Sequence, residues 1–419
     1  ATAGYAALVA YDKEEAQLAD AGAKTEWHRK GLESSLRFAT TFEAHPESAP
    51  VLVRTAREYY DLNDYAKAVE VADLVLARRP PVDVEKQRTA WTVIANGRFE
   101  LGEFDKAEGA YLQVQTLLAP DDPQRAAIDE RVAASVYKQA EAKRTAGDSA
   151  GAVDDFLRVA ALSPNAKIRA TADYDAAALL ITMQDWPRAI EVLEGFRRNF
   201  PASELQPDVT RKLAVAYVEA GRLGPAAAEF ERIAQSTTET PEVQREALQQ
   251  AAALYEKSGD EARTVAMLEQ YVKRFPQPFD QSIEARQKLA DIAGRQGDGR
   301  RRAALLEDVI RADRAAGAAR TDRSRFLAAK AQLELAQPAR DAFVAIELTA
   351  PLKKSLAAKR AAMEQALKAY GAADEYAIAE VSTAATFLMA ELHRPLCAHL
   401  LKSEGSEMLG AEVLEQYDL

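Results

Sequence analysis

Two short strings carry residue types that could do chemistry. Gly147-Asp148-Ser149-Ala150-Gly151 matches the Gly-x-Ser-x-Gly pattern of a hydrolase nucleophile elbow, in which a sharp strand-to-helix turn exposes the serine. Here the string lies between two helix-like runs, where other parts of the chain place plain turns, so Asp148 and Ser149 are expected to cap a helix rather than attack a carbonyl. The second string is His393, Cys397 and His399, with Glu391 nearby; imidazole and thiolate four residues apart are zinc-ligand types. Pro395 interrupts the helix that this spacing requires, and no second cluster completes a tetrahedron, so the expected reading is a buried thiol beside two packed or surface histidines. His28 and His45 stand alone, and the chain has no Walker string, HExxH or GxGxxG. The expectation is a protein with no catalytic residue, no metal and no cofactor, and therefore not an enzyme.

What remains is the scaffold that would otherwise position such groups. The 419 residues carry 54 Lys+Arg against 65 Asp+Glu, a formal net charge of −11, with 7% aromatics, 19 Gly and 17 Pro. That balance describes a helix-rich globular chain and excludes collagen-like or disordered polymers. The excess of acid repels phosphate backbones, so no nucleic-acid partner is expected. One cysteine allows no intrachain disulfide, and no run of 18 apolar residues offers a transmembrane segment. The chain starts without Met and stops inside a helical pattern, Glu412 to Tyr417, which suggests a processed or trimmed piece of a longer protein.

A helix-loop-helix unit recurs along most of the sequence. Its loops include Leu62-Asn63-Asp64-Tyr65, Leu101-Gly102-Glu103-Phe104, Ala146-Gly147-Asp148-Ser149, Met183-Gln184-Asp185-Trp186, Ala220-Gly221-Arg222-Leu223, Ser258-Gly259-Asp260 and Gln296-Gly297-Asp298. A small residue follows each, at Ala68, Ala107, Ala152, Ala189 and Ala226, with Thr264 and Arg302 as degenerate members, separated by 39, 45, 37, 37, 38 and 38 residues. Larger apolar residues one turn on, such as Tyr111, Phe156, Leu193, Phe230, Leu268 and Leu306, share that face of a second helix. Pro46, Pro80, Pro120, Pro164, Pro201 and Pro276 close the units, because proline has no N–H to continue a helix. First helices carry a complementary pattern, as in Trp91-x2-Ile94-Ala95, Leu213-Ala214-x2-Tyr217 and Leu248-x2-Ala251-Ala252-x2-Tyr255.

These residues together resemble the tetratricopeptide repeat. The resemblance covers residues 47–314 in about seven units, with 1–46 as a divergent N-terminal hairpin and 315–419 as a C-terminal helical extension or cap. It implies an all-α fold, a right-handed superhelical α-solenoid whose first helices line a concave groove. Family positions carried onto this chain give Arg54, Arg57, Tyr60, Thr92, Asn96, Phe99, Tyr137, Lys138, Glu141, Arg144, Tyr174, Asp175, Arg211 and Lys212 as groove residues. A protein or peptide partner, held by carboxylate contacts and aromatic packing, fits that mixture. The two-carboxylate clamp of the chaperone-binding members is not matched: Asn96 stands at a suitable position, but Thr92 replaces its lysine and the next unit offers Tyr137 and Glu141.

The joints Arg197-Arg198-Asn199-Phe200-Pro201-Ala202-Ser203 and Val272-Lys273-Arg274-Phe275-Pro276 look like those of bacterial cell-envelope repeat proteins, among them the outer-membrane assembly lipoprotein and the repeat protein that works beside the Tol–Pal system. This resemblance implies a periplasmic or outer-membrane-associated scaffold of a trans-envelope complex, of the Tol/TonB, motility or polysaccharide-export kind. A cytoplasmic adaptor or regulator, and the helical platform of a cell-wall lytic enzyme, are the alternatives. Beyond Arg314, Leu352, Leu356, Met363, Leu367 and Tyr370 form an amphipathic stripe. The opposite face carries Lys353, Lys354, Lys359, Arg360 and Lys368, which could meet anionic lipid in a peripheral association, although a solvated helix face is the ordinary reading.

Overall fold

The computed structural model describes residues 1–402, in two compact units that divide at Ala220/Gly221. Every regular element among the described residues is helical, and none of these helices is long and apolar enough to cross a membrane. Each unit is an all-α stack of helical hairpins, as the repeat pattern predicts; the pattern at Glu412 to Tyr417 lies outside the described residues.

The first unit runs through α1 (Thr2–Gln17), α2 (Ala21–Thr41), α3 (Ser48–Asp61), α4 (Tyr65–Leu76), α5 (Val84–Glu100), α6 (Phe104–Thr116), α7 (Arg125–Thr145), α8 (Ser149–Leu162), α9 (Arg169–Thr182), α10 (Trp186–Asn199) and α11 (Gln206–Glu219). The second has α12 (Leu223–Gln235), α13 (Pro241–Ser258), α14 (Glu261–Arg274), α15 (Phe279–Arg295), α16 (Gly299–Ala315), α17 (Asp322–Leu335), α18 (Gln337–Ala345), α19 (Leu352–Asp374), α20 (Ala379–Glu391) and α21 (His393–Lys402). Within each unit helices pack mainly against their neighbours in the chain, as expected where each pair buries its apolar face only by stacking.

Five of the turns, at Asp64, Asp148, Asp185, Asp260 and Asp298, repeat one device. A residue with positive φ ends the first helix, and an aspartate then caps the second by accepting a backbone N–H: Asp148 from Gly151 at 2.9 Å, Asp260 from Arg263 at 3.0 Å and Asp298 from Arg301 at 2.9 Å. Gly147, at φ +84°, supplies the left-handed residue in the first of these, so the Gly-x-Ser-x-Gly string folds as a turn and cap. Asn63 and Gln184 hold the same place without being glycine, at φ 60° and 59°.

The small second-helix residues Ala68, Ala107, Ala152, Ala189, Ala226 and Thr264 are all fully buried. The Arg302 position differs. Its partner on α15 is Gly294, and a Cβ there would sit 3.1 Å from the arginine stem, which continues to an ion pair with Glu334 at 2.5 Å. Charge also stitches successive repeats at the repeat spacing. Arg188 reaches Asp154 at 3.1 Å in the first unit, and Arg301 reaches Glu269 at 2.7 Å in the second.

Three expectations change at the C-terminal end. Lys359 does not stand on a solvated or lipid-facing surface: it is 0% exposed, and its ammonium donates to the carbonyls of Phe343 (3.1 Å) and Ile346 (2.6 Å) and contacts His399 Nδ1 at 2.8 Å. The ring of Phe343 lies 4.6 Å away, and burial pulls the lysine pKa below its usual value. Pro395 does not interrupt a helix; it sits in the first turn of α21, where its missing N–H costs no helical bond. Cys397 is exposed rather than buried.

Candidate functional site

The face built by the first helices of the first unit begins at an open lip between α3 and α5. Two cavities meet there, of about 470 Å³ and 340 Å³, and Arg57 and Asp61 line both. Thr89 also lines both; Arg54 and Glu58 complete much of the first, and Tyr60, Thr92, Asn96 and Arg88 line the second. α3 presents Arg54, Arg57 and Asp61 outward because Val51, Leu52, Thr55, Ala56 and Tyr59 occupy its buried face.

Electrostatics separates the residues of this lip. Arg54 is paired, with Asp12 at 3.3 Å and Glu58 at 3.7 Å. Burial raises the pKa of Glu58, with Arg54 acting in the opposite direction. Arg57 is exposed and has no ion pair or hydrogen bond to a side chain among the described residues. Tyr60 packs against Tyr65 with the rings tilted, 5.3 Å between centroids, and burial raises its phenol pKa. Asn96 is engaged from behind, its Oδ1 accepting the Tyr111 hydroxyl at 2.6 Å, and Phe99 meets Phe104 edge-on at 5.2 Å.

Further along, the expected groove residues are consumed by one another. Tyr137 donates to Asp175 at 2.7 Å and packs 5.1 Å from Phe156; Arg144 reaches the same carboxylate at 3.8 Å. Burial, then the hydrogen bond to Asp175, pushes the Tyr137 phenol far above its ordinary pKa. One repeat on, Tyr174 donates to Asp208, which also pairs with Lys212 at 3.5 Å and Arg211 at 3.6 Å. Lys212 lies 5.3 Å over the Tyr174 ring, whose phenol is pushed up to about 12 by burial first and by Asp208 second. Lys138 is paired with Glu141 at 2.7 Å. The structure thus gathers Arg54, Arg57, Tyr60 and Asn96 at an open lip, and turns Tyr137, Arg144, Tyr174, Arg211 and Lys212 into a ladder joining successive repeats.

The second unit holds a larger cavity that the family positions, carried only as far as Lys212, did not reach. It measures about 690 Å³ and lies between α13, α15 and α17, with Leu248, Ala252, Leu268, Phe326 and Leu327 among its apolar lining. The available signal was the first-helix run from Leu248 to Tyr255, whose intervening Gln249 and Ala253 fall on the cavity side. At the C-terminal end, His399 is held by Lys359, and no group of three His, Cys, Asp or Glu able to hold a metal occurs among the described residues.

Comparison with known proteins agrees with the repeat reading. The model of the tetratricopeptide repeat family matches residues 246–278, which span the α13–α14 turn. No curated protein matches the sequence. Among solved structures, a tetratricopeptide repeat protein from Parabacteroides merdae aligns at 16% identity over 67% of this chain and 98% of its own, with a TM-score of 0.27. PilW, a type IV pilus biogenesis factor, aligns at 19% identity over 56% of this chain and 96% of its own, with a TM-score of 0.24. The Naa15/Naa10 complex bound to HypK-THB aligns at 16% identity over 82% and 55%, with a TM-score of 0.32. Residues 246–278 match the tetratricopeptide repeat, and the turn and aspartate cap found there recur in helix pairs on both sides of it, at Gln184–Asp185 and Gly297–Asp298.

Proposed function

We propose that this protein is a non-enzymatic scaffold that binds a carboxylate-bearing segment of a partner protein at the α3–α5 lip. One observation carries the reading: of the six expected groove cations, Arg54, Lys138, Arg144, Arg211 and Lys212 are paired with carboxylates of the chain, and Arg57 is not. A guanidinium in an open polar cavity, flanked by Thr89, Thr92 and Asn96, offers bidentate donors to a planar anion. The chain's own carboxylates already neutralise the other five, so they offer an incoming anion little. The Phe200-Pro201 and Phe275-Pro276 joints support assigning the scaffold to the bacterial envelope, in service of a trans-envelope complex.

Fluorescence anisotropy with a labelled acidic peptide ending in a free carboxylate tests the lip. Binding should weaken with added salt and fall at least tenfold in Arg57→Glu. Equal binding by wild type and Arg57→Glu would remove the lip from the account.

A further inference from the structure

The buried contact between Lys359 and His399 accommodates one positive charge and no more. The lysine Nζ has three neighbours able to accept from it: the carbonyls of Phe343 (3.1 Å) and Ile346 (2.6 Å) at the C-terminal end of α18, and His399 Nδ1 on α21 at 2.8 Å. His399 Nδ1 also lies 3.2 Å from the Ile346 carbonyl. Two proton arrangements satisfy this geometry. In one, an ammonium donates to both carbonyls and to an unprotonated Nδ1; in the other, an imidazolium Nδ1–H points at a neutral amine. Each carries a single positive charge. A second proton directs an imidazolium N–H and an ammonium N–H at each other with no acceptor between them, beside a lysine that is 0% exposed.

The surroundings do little to hold a second charge. Glu347, just after α18, acts favourably on Lys359, but it is exposed and burial of the lysine outweighs it. Arg340 and Asp341 on α18 pair with each other at 3.7 Å, Glu391 on α20 pairs with Arg394 on α21 at 3.1 Å, and Glu334 on α17 pairs with Arg302 at 2.5 Å. His393 on α21 is exposed, and one turn to either side of Lys359 on α19 stand the uncharged Ser355 and Met363. α21 has only ten residues, too few to be stable as a helix without packing, and it seats Leu396 on the apolar cluster that contains Phe343, Met363 and Tyr370.

We propose that α21 is an acid-released latch: it stays docked on α18 and α19 while Lys359 and His399 share one proton charge, and protonation of the pair by a second proton frees it and uncovers the apolar cluster beneath Leu396. The docked state excludes the second proton, whereas a released imidazole in water takes it at the ordinary value of about 6.5. Docking is therefore at full strength above about 6.5 and weakens as pH falls below it, by up to about tenfold per pH unit.

Cys397 supplies the probe, because it is the single cysteine of the chain, lies on α21 and is exposed. A nitroxide attached there on the whole chain reports the mobility of α21 by electron paramagnetic resonance between about pH 8 and about pH 5, with far-UV circular dichroism recorded alongside. The label should be immobilised at the upper end, and a mobile component should grow as the pH falls below about 6.5, with the bulk of the helical signal retained. His399→Gln, which cannot take up a proton, and Lys359→Met, which removes the opposing charge, should each abolish the pH response. His393→Gln should leave it unchanged. Equal mobility at both ends of the range, a transition that survives His399→Gln, a transition lost in His393→Gln, or mobility that rises only with loss of the whole helical signal would each overturn the proposal.

Discussion

The hydroxyl of Tyr137 donates to the carboxylate of Asp175, 38 positions later and one repeat further on, at 2.7 Å. Tyr174 repeats the contact to Asp208. A face expected to receive a partner therefore contains a ladder that fastens one first helix to the next, and the two roles divide along it. Arg57 at the lip has no side-chain partner among the described residues, whereas Tyr137, Arg144, Tyr174, Arg211 and Lys212 are engaged with carboxylates of the chain.

Tyr137→Phe keeps the ring against Phe156 and removes only the donor to a charged acceptor. It should cost about 1–2 kcal/mol and lower the midpoint of thermal unfolding, while the acidic peptide binds at the Arg57 lip with unchanged affinity. Loss of binding in a folded Tyr137→Phe protein would place the ladder in the recognition surface instead.

Asp173 gives a pH signature. It is 6% exposed, 3.8 Å from Arg169, and its carboxyl is pushed up to about 6, chiefly by burial, with Arg169 opposing the shift. Between the unfolded value near 4 and about 6, the folded state binds the extra proton, so this group lowers stability as pH rises through that window. Asp173→Asn should be more stable than wild type at pH 7.5, by up to about 3 kcal/mol, and the margin should shrink as the pH is lowered towards 4. Denaturant melts at several pH values read this directly; a margin that grows on acidification contradicts the assignment.

Ala189 is fully buried where α10 packs. Ala189→Glu forces a carboxylate into that contact and should cost on the order of 3–5 kcal/mol, unfolding the local repeat. Arg57→Glu, on an exposed position, should change stability by no more than about 0.5 kcal/mol. Hydrogen exchange resolved by segment separates the two, and similar losses of protection would mean that groove and core have been interchanged.

Gln184 occupies the left-handed turn position at φ 59°. Gln184→Gly should raise stability by about 0.5–1 kcal/mol, because the gain from relieving the side chain's steric penalty exceeds the entropy lost with glycine. A lower unfolding midpoint would show that the glutamine side chain contributes more than its backbone strain costs.

Much of the repeat was legible because it is local. Asp148, Asp260 and Ala189 sit at fixed offsets from their turns, and periodicity alone assigns their faces. The site was less legible because its chemistry depends on residues about one repeat away. Spacing puts Arg54 and Arg57 on the same face, but only the fold shows that Asp12 takes the first and leaves the second free. Lys359 looked exposed on a helical wheel of α19, which cannot register the carbonyls of Phe343 and Ile346 or the His399 ring arriving from elsewhere in the chain.

The most direct measurement is chemical cross-linking and affinity capture from the source cells, comparing wild type, Arg57→Glu and Tyr137→Phe, with folding checked by circular dichroism. The account predicts that wild type and Tyr137→Phe capture the same bacterial envelope protein through the α3–α5 lip and that folded Arg57→Glu loses it. Capture that survives Arg57→Glu, or a partner drawn from the cytosol, would contradict the lip or the envelope assignment respectively.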